Sequence, residues 1–190
     1  MKKLFFLISF FSFNTCFAQN DTAGIRLKTY RFKIAAVFNK CDSQYLELDK
    51  AIKFKNITAI ETGRQTLLQY AISGLNQLKI FDDFDGDGSL KFSCREAVNF
   101  YKQLAESDIT RVRDFFTVEA NYLTIKKSFE NISKRKRSQK DMDQYNAEVK
   151  KYSEAYVSYN QLMPFITIGR KTTLYNWNGS QKIFIESHKK

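Results

Sequence analysis

Apolar side chains recur at steps of three and four along four long stretches of this chain, the spacing that gathers them onto one face of a helix. Over residues 22 to about 54 the face is Leu27, Tyr30, Ile34, Val37, Cys41, Tyr45, Leu48 and Ile52, with lysines, Asp42, Glu47 and Asp49 on the other sides. Asn56-Ile57-Thr58 interrupts the run, and Thr58 with Glu61 three residues later has the form of a capping box. A second helix is therefore expected over about 58–81, on Ile60, Leu67, Ala71, Leu75, Leu78 and Phe81. Gly63 and Gly74 weaken it by up to about 1 kcal/mol each relative to alanine, and point to close helix packing.

A third pattern covers 89 to about 131 through Leu90, Cys94, Ala97, Tyr101, Leu104, Val112, Phe115, Tyr122 and Phe129. As a straight helix it would run about 64 Å. A bend is expected at residues 106–110; otherwise its far end projects past the first hairpin. Ser138 is placed to cap the last helix, about 139–162, whose stripe is Met142, Tyr145, Val149, Tyr152, Tyr156 and Tyr159. Tyrosine hydroxyls need partners or a wet rim, so partial cover is expected there. Pro164 is expected to end that helix. Beyond it, β-formers flank Asn178-Gly179, the sequence of a β-hairpin with a tight turn. The predicted fold is all-α: an antiparallel four-helix bundle of long helices over 19–163, with a short C-terminal β-like tail over 164–190.

Between the two halves lies Phe81-Asp82-Asp83-Phe84-Asp85-Gly86-Asp87-Gly88-Ser89-Leu90. Asp83, Asp85 and Asp87 with Gly88 match the first half of a calcium loop, where alternate carboxylates converge on a hard cation. The twelfth position, which should be a bidentate glutamate, is Cys94, and Glu96 comes two residues late. The competing reading is a polar interhelical turn in which Asp87 or Ser89 caps the next helix. Half a motif is a weak signal, so the turn is preferred and calcium is kept as the alternative.

The first eighteen residues read as a signal peptide: Lys2 and Lys3, an apolar run from Leu4 to Phe13, then Cys16-Phe17-Ala18 before Gln19. The run is too short for a permanent anchor, and Phe13-Asn14-Thr15 makes a poor lipobox, so cleavage and release are expected. The implied location is exported: periplasm, cell surface or extracellular. Net charge is +11, and the leader accounts for only two of those charges, which favours anionic partners. An oxidising destination permits a disulfide between Cys41 and Cys94, but in antiparallel helices their register sets them several ångströms apart along the axis, and both fall on apolar stripes, so two buried free thiols are the preferred reading.

Candidate chemistry is sparse. The single histidine, His188, stands near the C-terminus, which removes the commonest general base from any internal site. Neither cysteine has an evident base beside it, zinc-ligand spacing is absent, and no glycine-rich phosphate loop occurs. The carboxylates Asp114 and Glu119 read as a solvated helix face. No enzymatic activity and no resident cofactor are expected. The strongest charge feature is Lys134-Arg135-Lys136-Arg137, with Lys140, Lys126 and Lys127 close by. A mobile, solvated turn is the preferred reading of such a run; as a contact, its expected partners are anionic envelope glycans or lipid head groups. Aromatic residues are not interleaved with it, so nucleic acid is not expected.

Phe84-Asp85-Gly86-Asp87-Gly88-Ser89-Leu90-Lys91, then Asn99-Phe100-Tyr101-Lys102, and a closing Tyr159-Asn160 resemble the leptospiral-type surface protein family over roughly residues 27–160. The resemblance implies a small exported bacterial protein of long helices with no assigned activity. The chain departs from that family in lacking a good lipobox and in its segment after Pro164. The resemblance supplies location and fold but no catalytic residues.

Overall fold

A computed structural model describes residues 15–189, with side chains from residue 22 onward. Every named element is helical, and there is no strand among the described residues. The elements are α1 (Thr15–Lys53), α2 (Ile57–Ile80), α3 (Ser89–Gln103), a π-helical turn (Leu104–Asp108), α4 (Ile109–Asn131), a 3-10 turn (Lys134–Lys136) and α5 (Gln139–His188). Residues 1–14 of the expected leader lie outside the described residues, and the backbone of 15–18 forms the first turn of α1.

The first three expected stripes supply much of the core, and the fourth contributes no fully buried side chain. Ile34, Val37, Cys41, Tyr45, Leu48 and Ile52 of α1 are buried with Ile60, Leu67, Ala71 and Leu78 of α2, while Leu75 is half-buried and packs on them. From α3 to α4 the buried side runs through Leu90, Cys94, Tyr101, Leu104, Val112 and Phe115. Helix α1 packs on α2 and α3, α2 on α4, and α5 on both α3 and α4. The glycines of α2 let the helices approach closely, and Gly74 has no room for a larger residue unless Val37 shifts. A Cβ on Gly63 would stand 3.1 Å from Leu48 Cδ1, and one on Gly74 only 2.6 Å from Val37 Cγ1.

Helix ends depart from expectation at the first turn. Asn56, not Thr58, caps α2, its side chain accepting from the Ala59 amide at 3.0 Å. Glu61 is thereby released from capping and turns to Arg64 and Arg113 instead. Helix α1 ends with Lys55 at φ +51°. The Asn56 amide donates to Ala51 O and the Lys55 amide to Ile52 O, each at 3.0 Å, the paired bonds of a Schellman ending. Ser138 does cap α5, with Asp141 completing a reciprocal box.

Two side-chain knots tie the helices together. Asp42 Oδ1 accepts from the buried Tyr101 hydroxyl at 2.6 Å and from Arg170 Nη2 at 2.7 Å, joining α1, α3 and α5. Burial, then the Asp42 carboxylate, pushes the Tyr101 hydroxyl far above its ordinary pKa. Glu61 accepts from Arg64 at 2.6 Å and Arg113 at 2.7 Å, and Arg64 also donates to Ala105 O at 3.1 Å. The π turn therefore sits where the sequence anticipates a bend, and α2 braces it. Within it the Ile109 amide donates to Leu104 O, five residues back.

The tail corrects the sequence reading. Residues 164–188 are not a β-hairpin: α5 passes through Pro164 without ending and continues to His188. Leu162, Ile166, Trp177 and Phe184 are all buried on one face of this half of α5, at spacings that suit a helix and not a strand. Burying Trp177 and Phe184 contributes several kcal/mol, on the order of 1.5–3 for each large side chain. That is enough to offset about 1 kcal/mol for Gly179 and about 3 kcal/mol for Pro164 in a helix interior. The Asn178-Gly179 pair is thus overruled by packing, and Gly179 has open space where a Cβ would stand.

Candidate binding surface

The acidic stretch folds as a tight turn. Phe84 and Asp87 exchange both backbone hydrogen bonds, at 3.1 and 2.8 Å. The two central residues, Asp85 and Gly86, have φ of +49° and +85°, as in the primed turns that Asp-Gly pairs favour. Each carboxylate has a different neighbour. Asp83 pairs with Lys91, and Asp85 with Arg26 of α1. Asp87 Oδ1 accepts the Ser89 amide at 2.7 Å, the main reason its carboxyl is held below the usual range. Gly88 occupies the cap position of α3 without a side-chain bond, so Asp87 serves the first turn from one residue earlier. Among the described residues no group of three or more His, Cys, Asp or Glu side chains is placed to hold a metal ion.

The turn is also where the end of α5 docks. Phe84 is buried against Tyr30 and Phe184, with ring centroids 5.4 and 5.9 Å away. His188 stands edge-on to Phe84 at 5.2 Å, and its Nε2 lies 3.7 Å from Asp87 Oδ2. Cys41 and Cys94 are free and buried. Burial pushes their thiols up to about 11 and about 12 respectively, so both stay protonated at neutral pH. A shallow groove of about 560 Å³ runs between α1 and α2, lined by Gln44, Asn56, Thr58, Thr62 and Thr66 among others. It contains neither a histidine nor a cysteine.

The opposite end is built differently. Lys55 Nζ lies 2.7 Å from Glu119 Oε2, which sets the α1–α2 connection level with Glu119 of α4. From residue 117 to residue 161 no side chain is fully buried. Past Glu119, α4 and the first half of α5 pair with each other, and twelve further residues of helix carry α4 about 18 Å onward. Three stacked ring pairs hold this hairpin: Phe115 with Tyr159 at 4.3 Å, Tyr122 with Tyr152 at 4.5 Å, and Phe129 with Tyr145 at 4.4 Å. The rungs advance by seven residues on α4 and retreat by seven on α5, the repeat of a two-helix coiled-coil seam. Tyr152 and Tyr159 are half-buried, while Met142 and Tyr156 remain exposed, in keeping with the partial cover expected for this stripe.

The tip carries the basic cluster. Lys134, Arg135, Lys136 and Lys140 are exposed. Arg137 is half-buried: its Nε donates to Ile132 O at 3.1 Å and its guanidinium lies 4.2 Å from the Phe129 ring centre. It closes the turn, leaving the other four to face solvent. Residues 120–151 hold nine lysines and arginines against four acids. The aromatic ladder was not legible as a ladder, although each of its six rings lies on an expected stripe; the seven-residue spacing on both helices was the available signal.

Comparison with known proteins finds no family model, no curated protein and no solved structure that matches this chain.

Proposed function

We propose that this is an exported envelope or surface protein of helical-bundle form, with a non-enzymatic binding role exercised through the tip of the α4–α5 hairpin. The four rods, counting α3, the π turn and α4 as one, are read as an antiparallel bundle. The contacts of Gly63 with Leu48 and of Gly74 with Val37, and the opposed numbering of the ring ladder, support this. The observation that carries the functional reading is the hairpin itself: a projecting arm without a buried core, ending in four exposed cations. Such a surface gathers anions by field and not by a shaped pocket. Anionic envelope glycans and lipid head groups are the partners of that chemistry. The signal-like leader and the resemblance to leptospiral-type surface proteins support the envelope setting. The Phe129 ring is taken up by Tyr145 and Arg137, so the tip lacks a ring free to stack on bases.

The test is salt-dependent binding of the purified chain to anionic vesicles and, separately, to immobilised acidic glycan. Each lysine or arginine near an anionic surface contributes about 1 kcal/mol. Converting Lys134, Arg135 and Lys136 together to glutamine should then weaken binding by roughly 3 kcal/mol, about 100-fold. Whichever arm shows that loss identifies the partner class. Retention on neither surface, or retention indifferent to salt and to the triple variant, removes the proposal.

A further inference from the structure

Because α5 continues past Pro164, its second half has an outer face as well as an inner one. Leu162, Ile166, Trp177 and Phe184 face the core, yet Phe165, Ile168, Tyr175 and Ile183 stand 74%, 63%, 79% and 68% exposed. With Thr172 and Gly179 they follow one another at steps of three and four, so all six lie along one stripe of the helix. Scattered apolar residues on a surface are ordinary; a continuous stripe is not.

We infer that this stripe is a homodimer seam, pairing with the same stripe of a second copy of this chain in antiparallel, two-fold symmetric fashion. The first support is size. Covering these four side chains on both copies removes on the order of 1,000 Å², the lower bound for a specific protein interface. The second is self-complementarity, which a two-fold seam requires of one surface. If the copies cross with the axis between Thr173 and Leu174, Ile168 of one falls opposite Gly179 of the other, and Tyr175 falls opposite Thr172. Each large side chain meets a small one, and Gly179 offers an open notch with nothing within 4 Å of a Cβ position. Phe165 and Ile183 then close the two ends. The third is charge: in that register Lys171, Lys182 and Glu186 meet Asn176, Phe165 and Gln161, so no like charges are opposed. The seam is independent of the basic tip.

Sedimentation equilibrium of the purified full chain is expected to show a monomer–dimer equilibrium. Ile168→Glu and Tyr175→Glu should each weaken it at least tenfold while leaving helicity and melting unchanged, since both positions are exposed. A second measurement fixes the register. With Cys16 replaced by serine in both variants, Thr172→Cys should cross-link between copies with a short bis-maleimide, whereas Phe54→Cys, at the exposed α1–α2 connection, should not; Cys41 and Cys94 are buried. A monomer at all concentrations overturns the inference, as does a dimer indifferent to both glutamate variants. Equal cross-linking at the two cysteine positions also overturns it. So does stripe-dependent binding to neutral vesicles by a chain that stays monomeric, which would assign the face to a lipid surface.

Discussion

Glu61 shows what a single residue does when its local role is taken over by a neighbour. Asn56 caps α2, and the glutamate instead accepts from Arg64, Arg113 and Gln65. Arg64 first, with Arg113 and Gln65, holds its carboxyl down from 4.5 to about 2. The folded value lies below the unfolded one, so this cluster of three charges stabilises the fold above pH 4.5 and loses that contribution as pH falls from 4.5 through about 2. Denaturant titrations across that window should show a smaller loss of stability for Glu61→Gln than for the parent chain. At neutral pH the variant should be the less stable of the two, because Arg64 and Arg113 are left without their shared carboxylate. Equal acid sensitivity in both chains would show that the knot contributes nothing to folding.

At the scale of the element, α5 is a helix carried across a residue that ordinarily ends helices. Pro164 cannot donate to the carbonyl four residues back, and its ring crowds that carbonyl. The helix persists because Leu162 and Ile166 straddle the proline on the buried face while Pro164 itself is exposed. Pro164→Ala should therefore raise stability, by up to about 3 kcal/mol, read as a higher denaturation midpoint with unchanged helicity. A fall in stability on this substitution would mean that the proline sets the geometry on which the docking of Trp177 and Phe184 depends. The same element explains the exposed stripe, since a hairpin over 172–185 would have had no such face.

The whole molecule divides into a packed body and an arm. In the body, buried side chains from α1 to α5 form one continuous cluster; in the arm, ring stacking replaces a core. Elements with few buried contacts open at the low end of the free-energy range. Amides of residues 120–131 and 139–158 should accordingly exchange faster than those of residues 34–52. Tyr122→Ala, which removes the middle rung, should speed arm exchange by about 0.5–1.5 kcal/mol of opening free energy and leave the body unchanged. Uniform protection across arm and body would show that the arm is not a separate cooperative unit. No described helix is long and apolar enough to cross a membrane.

Much of this architecture was legible because it is local. Alternating steps of three and four placed Ile34 through Ile52 and Ile60 through Leu78 on buried faces. Ser138 announced its own cap, which depends on residues within a turn, and Gly63 and Gly74 announced close contact by residue type alone, without showing that Leu48 and Val37 of α1 are what they meet. The site was legible only as charge: Lys134 to Arg137 stand out in the sequence, but not that Arg137 folds back onto Phe129 while its neighbours face solvent. The tertiary structure alone decided that residues 164–188 are helix, because the energy that overrules Pro164 and Asn178-Gly179 comes from surfaces on α1 and α3 far away in the chain. It also decided that Lys55 reaches Glu119 and that Asp83, Asp85 and Asp87 each go to a different neighbour. Local periodicity fixes which side of a helix is apolar; how far the helix runs and what it meets depend on partners that only the folded chain brings near.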